Sequence, residues 1–147
     1  MSLFKSIDIS SSGLTAQRLR MDTISDNIAN VNTTRTPAGG AYRRKVAVFE
    51  AREAEKPFAG VFSKALEAQK IGQGVRVVQV TEDNSPFKLI YDPNHPDANT
   101  AGYVEMPNVN IVTEMVDMIS ATRSYEANAT AVKSSKDMAM KALEIGR

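Results

Sequence analysis

The chain has 147 residues, a net charge of +1 and no cysteine. Its charges are interspersed, three acids against three bases in the first thirty residues and five against five from Asn108 to Arg147, so neither end carries the basic stripe that nucleic acid or an anionic membrane would need. Disulfide frameworks, thiol nucleophiles and cysteine-ligated zinc are excluded, no run approaches the roughly 20 apolar residues of a membrane span, and no basic-then-apolar leader opens the chain.

All six prolines lie between Pro37 and Pro107, so both ends are free to be helical. At the N-terminal end Ile7, Leu14, Met21 and Ile28 fall seven apart, and Ile24 and Val31 supply a second heptad position that Ser10 and Gln17 hold earlier. This spacing predicts a helix from about Leu3 to Ala29, on the order of 40 Å long. It ends in an asparagine-rich stretch where Asn27, Asn30 and Asn32 are expected to supply left-handed cap or turn geometry, to hydrogen-bond a neighbouring subunit, or both, before Thr36-Pro37 forbids continuation.

Pro37, Gly39 and Gly40 read as a loop, and Tyr42 to Glu50 alternates as a strand would. Arg43, Arg44 and Lys45 are the densest basic run, too short to outweigh the overall balance. From Ala51 to Lys70, Phe58, Phe62 and Leu66 recur every four residues in a charged stretch read as a loop with one helical turn. Gly74 to Glu82 changes phase among Val75, Val77, Val78 and Val80, which predicts a bulge, and Asn84-Ser85-Pro86 is read as turning it into a hairpin with Pro86 to Asp92. Asp92 to Pro107 is turn chemistry, in which His95 and its aspartates Asp92 and Asp97 are read as capping amides rather than holding a metal, with Tyr91 and Tyr103 packing the turn down.

The last helix follows, with Asn108 or Asn110 as its cap. Seven of the eleven residues from Val109 to Ile119 are apolar: Val109, Ile111, Val112, Met115, Val116, Met118 and Ile119. That stripe is too wide for one partner helix. Alanines then surround Tyr125, Val132 and Leu143, and the helix outruns the first one, leaving apolar surface for other chains. Arg123 is the best charged candidate for a neighbour contact. No serine has a histidine and acid in readable context, so the chain is read as no enzyme and as needing no cofactor.

These elements describe a mainly α fold with a small inserted β region: long N- and C-terminal helices with a short β-hairpin and loop segment between them. The divisions fall at residues 1–36, 37–107 and 108–147. The subunit-interface candidates are Leu14, Met21, Asn27, Ile28, Asn30 and Asn32 on the first helix and its exit. On the last helix and its approach they are Val109, Ile111, Val112, Met115, Met118, Ile119, Arg123, Tyr125, Val132 and Leu143. On pattern alone, a soluble coiled-coil adaptor or export chaperone is the alternative.

Ser12-Gly13-Leu14 followed by Asp26 through Thr33 resembles the N-terminal signature of the bacterial flagellar rod and hook proteins. Asp92 through Ala98, Gly102-Tyr103-Val104, Met106 through Asn110 and Glu114-Met115-Val116 through Asn128 resemble the proximal-rod members of that family. The resemblance implies a structural subunit of the basal-body rod, a hollow shaft crossing the periplasm, exported by the flagellar type III apparatus without a cleaved signal. It implies that the long N- and C-terminal helices are paired antiparallel as a coiled coil, and it implies helical stacking on other rod proteins and copies of itself, and contacts with export-gate, MS-ring and hook-basal-body junction proteins.

Overall fold

The computed structural model describes residues 3–52 and 72–145. The one-turn reading of Ala51 to Lys70 falls almost wholly outside them. Helix α1 spans Leu3–Ala29 and helix α2 spans Ile111–Ile145, with strands β1 (Lys45–Ala51), β2 (Val75–Glu82), β3 (Lys88–Tyr91) and β4 (Tyr103–Met106) between. The two helices, about 40 and about 52 Å long at 1.5 Å per residue, run antiparallel. Their contacts step down one helix as they step up the other: Ser6 meets Ser135, Gly13 lies against Asn128, and Asn27 reaches Glu114.

The seven-residue spacing expected of α1 does recur at this seam, one residue away from where the hydrophobics predicted it. Ser6, Gly13 and Asn27 face α2, whereas Ile7, Leu14, Met21 and Ile28 flank the seam half-buried. Gly13 is small for a reason: a Cβ there would sit 3.0 Å from the Asn128 amide, closer than atoms normally approach. Small residues let the helix axes come together, and Ala121 on the facing row is completely buried. Ala16 and Ile24 are the other buried apolar residues of α1, and Ser12, Thr23 and Asn27 are buried with them. The seam is therefore polar and small rather than an apolar zipper.

The exit from α1 is a turn over residues 30–32, without the left-handed cap. Among the described residues no non-glycine has a positive φ, so the asparagines do not supply left-handed geometry. Asn30 closes the helix through its side chain instead, Nδ2 donating to the Asp26 carbonyl at 2.9 Å and to Asp26 Oδ1 at 3.0 Å. Positive φ falls on glycines, among them Gly39 and Gly40, where the Thr36 amide donates to the Gly40 carbonyl and turns the chain back toward α1.

The strand pairing corrects the predicted hairpin. β2 pairs antiparallel with β1, and β3 pairs with β4, so β2 and β3 are consecutive but belong to separate two-stranded sheets. Tyr103 to Met106, read as turn, is a strand. The bulge is present: Val48 pairs with Gln79 and Phe49 with Val77, which leaves Val78 as the extra residue where the valine phase changes. The loop between β3 and β4 is the Asp92–Gly102 turn, and the Tyr91 and Tyr103 rings close it edge to face at 5.2 Å. Asp92 accepts the Asn94 amide as expected, while Asp97 takes the Thr34 hydroxyl at 2.8 Å rather than an amide, and His95 Nδ1 accepts the Asp97 N–H.

The β1–β2 sheet is seated on α1 through Ser12. Its Oγ donates to the Ile9 carbonyl at 2.6 Å and accepts the Val75 amide at 3.1 Å. Gly74, with φ of 101°, brings the backbone hard against that hydroxyl. Gly74→Ala adds left-handed strain and drives a methyl into Ser12; the expected loss is about 2–4 kcal/mol, read as a lower urea midpoint.

Candidate assembly interface

Among the described residues two polar side chains are completely buried, the Asn27 amide and the Glu114 carboxylate. Glu114 is 0% exposed, yet it lies on the first turn of α2 in the middle of the apolar run. Asn110 caps that turn, its Oδ1 accepting the Val112 amide at 3.0 Å, which decides between the two asparagines expected there. Asn108 has a different task. It accepts the Arg44 amide at 2.8 Å and donates to the Asp83 and Ser85 carbonyls, fastening the turn after β2 to the start of β1 and the approach to α2.

Two donors satisfy Glu114, one of them a cation. Arg44 Nε donates to Oε1 at 2.7 Å, and Asn27 Nδ2 donates to Oε2 at 3.0 Å. The same Arg44 guanidinium lies 3.6 Å from Asp117 and 3.8 Å from Asp83, and Asp117 also pairs with Arg20 at 3.0 Å. Asn27 uses its whole amide: Nδ2 also donates to the Lys45 carbonyl, and Oδ1 accepts the Lys45 amide and the Tyr42 hydroxyl. The Asn27 amide is thus fully engaged within its own chain. Burying charges is favourable only when their hydrogen bonds are complete, and here α1, β1 and α2 each contribute one of the groups required.

Around this node the titratable groups shift as their neighbours dictate. Asp26 is held below its ordinary 3.8, chiefly by the hydrogen bond from Lys45 Nζ and further by that from Tyr42, against an opposing effect of burial. Burial first, then the Asp26 carboxylate beside it, pushes the Tyr42 phenol up. A carboxyl with a lowered folded-state value contributes stability that is complete above its unfolded value and lost as pH falls through the folded one. Asp26 and Lys45 are nearly half exposed, so the effect is small, below about 1 kcal/mol. Stability should decline as pH falls below about 4, and Asp26→Asn should flatten that part of the curve in acid titrations of urea midpoints.

With the acid facing inward, the hydrophobic residues of the same turns face out. At 3.6 residues per turn, Val112, Met115, Val116 and Ile119 fall on the side of α2 opposite Glu114 and Ala121. They are 70%, 54%, 63% and 55% exposed. Ile111 is also exposed, Met118 and Val109 are half-buried, and Val109 precedes the helix. Farther along, Tyr125 and Val132 are half-buried, and Arg123 is exposed with no ion pair to another described residue. At the far end α2 outruns α1: Ser6 lies opposite Ser135, so the residues after Met138 have no described part of α1 beside them, and Met140, Leu143 and Ile145 are exposed. Asn30 is engaged in the chain reversal, and Asn32 is exposed.

Sequence reasoning placed the wide stripe of α2 but not its polarity. It also passed over Glu114 and Arg44, the pair that sets which face turns inward. The available signal was an acid at the centre of an apolar run, which must either interrupt an outward face or be buried against a cation. Among the described residues no group of acids and histidine could hold a metal ion, and no helix is long and apolar enough to cross a membrane.

Comparison with known proteins agrees with this architecture at both ends. Residues 7–35 match the family model described as flagella basal body rod protein, and residues 100–145 match flagellar basal body rod FlgEFG protein C-terminal. The chain is 56% identical to the flagellar basal-body rod protein FlgC of Borreliella burgdorferi, over 99% of this chain and 98% of that one. It is 47% identical to the FlgC of Bacillus subtilis and 39% identical to that of Escherichia coli O6:H1, over the full length of both chains in each case. The chain belongs to the FlgC family of flagellar basal-body rod proteins.

Proposed function

We propose that this chain is a structural subunit of the flagellar basal-body rod, built into its cell-proximal part by helical stacking on other rod proteins and on copies of itself. The observation that carries the reading is the inverted α2: a buried glutamate on the inner face and Val112, Met115, Val116 and Ile119 on the outer one. A monomer that turns four neighbouring apolar side chains to water while burying a carboxylate has a surface suited to other subunits. Staggered contacts between non-identical patches give an open helical array, as head-to-tail interfaces do. The relatives of this length carry the rod in their names, which supports the same place for this chain.

In this reading residues 1–36 and 108–147 form the axial unit, a short antiparallel coiled coil, and residues 37–107 form the middle segment. The outward residues Ile111, Val112, Met115, Ile119, Arg123 and Leu143 are its contacts to neighbours, with Leu14, Met21 and Ile28 along the flanks of the seam. The role is non-catalytic, the location is the periplasm-spanning shaft, and delivery is by the type III export apparatus. Export-gate, MS-ring and hook-basal-body junction proteins are further neighbours. Mass analysis of purified basal bodies tests it: the chain is expected in them at a fixed ratio to other rod proteins, and its absence there, with a soluble pool in the cytoplasm, would contradict a structural role.

A further inference from the structure

Among the described residues, one backbone edge of β1 and one of β3 are left unpaired. In β1 the Arg44 carbonyl accepts the Asp83 amide and the Arg52 amide donates to the Gly74 carbonyl, so even-numbered residues face β2. Odd-numbered residues face away. Lys45 shows it, its amide and carbonyl both held by the Asn27 side chain, and because the bulge lies in β2 the alternation carries on through Ala47 and Phe49. Neither of those two backbones meets a partner among the described residues, and a cleft of about 280 Å³ opens beside them, bounded by Arg20 and Ile24 of α1. β3 repeats the pattern. Asp92, just past the strand, donates inward to the Gly102 carbonyl, while Tyr103 opposite Tyr91 gives both its backbone groups to Asn99, so Leu89 and Tyr91 turn theirs outward. Every residue of β3 is exposed, Leu89 at 60% and Tyr91 at 65%.

We propose that β3 of one copy adds as a strand to the free β1 edge of the next copy, antiparallel, with Val48 opposite Ile90, Phe49 opposite Leu89 and Glu50 opposite Lys88. An exposed apolar strand edge is a template for pairing with another chain. The partner is a second copy because both edges present their outward groups at the same two-residue spacing and because their side chains match in this register: valine on isoleucine, aromatic on leucine, acid on base. Lys88 has no ion pair with another described residue, whereas Glu50 already holds Arg76 at 2.9 Å and would then lie between two cations. Sliding the strands by two residues sets Lys88 against Val48 or Glu50 against Ile90, and a parallel pairing of Ala47 with Leu89 sets Asp92 against Glu50. Pro86 and Pro93 confine the contact to the strand itself, since neither has an amide to donate. Within one chain the two edges belong to separate sheets and stay apart. Each copy therefore gives β3 to one neighbour and takes β3 from another, a head-to-tail contact that propagates along a helical array. The inference rests on the rod reading, which sets copies beside one another, and gives the middle segment a part in it.

Disulfide trapping in purified basal bodies tests the pairing. Val48 and Ile90 are 38% and 39% exposed, and in the proposed register they form a non-hydrogen-bonded pair with Cα atoms about 4.5 Å apart, within disulfide reach. After mild oxidation, a chain carrying both Val48→Cys and Ile90→Cys should run as a ladder of linked copies on non-reducing gels. Neither single variant should link, and cells making the two single variants together should give dimers alone, a mixture that keeps the test valid if the double variant fails to incorporate. Adding Lys88→Glu, which sets an acid against Glu50, should cut the linked fraction by about threefold. Unlinked copies in basal bodies that contain the chain, or dimers from either single variant, would overturn the pairing while leaving the rod reading in place. Absence of the wild-type chain from basal bodies would overturn the rod reading, and the pairing with it.

Discussion

Arg44→Ala should lower the unfolding free energy by about 3–5 kcal/mol, the range for a buried ion pair broken from one side. Glu114 has no exposure in the intact protein, and without the guanidinium its carboxylate keeps a single protein donor, Asn27. The reverse change should be milder. With Glu114→Leu, Arg44 still faces Asp117 and Asp83, and the Asn27 amide still donates to the Lys45 carbonyl, so little is orphaned. The ordering, arginine variant weaker than glutamate variant, distinguishes a neutralised buried acid from a general packing role. Urea unfolding of the two single variants and of Arg44→Met with Glu114→Leu measures it, and the double variant should recover most of the arginine variant's loss. A loss comparable to total stability in a protein of this class, 5–15 kcal/mol on general grounds, would leave Arg44→Ala partly unfolded at growth temperature.

The second large effect lies outside the fold. Val116→Asp, or Ile119→Asp beside it, should change monomer stability by no more than about 0.5 kcal/mol, because each side chain is more than half exposed and touches no buried feature. Incorporation into basal bodies should nevertheless fall to background and swimming should cease, since a charge placed in a covered apolar contact must be desolvated without a partner. The comparison is made in one strain series by quantifying the chain in purified basal bodies against its total cellular amount. A variant that folds normally and still assembles would remove α2's outer strip from the interface.

Much of the architecture was legible because it is local. The bounds of α1 follow from heptad-spaced residues and from Thr36-Pro37, and the bulge follows from the phase change among Val75, Val77, Val78 and Val80. The pairing of β2 was not legible, because its partner β1 lies before residues 53–71, and local turn chemistry at Asn84-Ser85-Pro86 suggested the nearer strand. Asn108 resolves that competition by holding the Asp83 and Ser85 carbonyls, so the turn leads into a second sheet instead of folding β3 back on β2. The inner face of the helix pair was misread for a related reason. Periodicity locates hydrophobic residues, and a globular chain would bury them; here Ile24 is buried as its heptad position predicts, but Gly13, Asn27, Ala121 and Glu114 also face inward, while Ile7, Leu14, Met21 and Ile28 only flank the seam. Such an inversion is what the proposed assembly requires of a subunit whose outer strip is covered by other chains.

The chain's lack of cysteine allows that proposition to be measured directly. A single Val116→Cys substitution places one thiol on the outer strip of α2, and maleimide labelling compares its access in purified monomer and in isolated basal bodies. The account predicts rapid labelling of the monomer and protection in the basal body, with a control Val78→Cys, exposed on the β2 bulge, reporting access to the middle segment in each state. Equal, rapid labelling of Val116→Cys in both would contradict it.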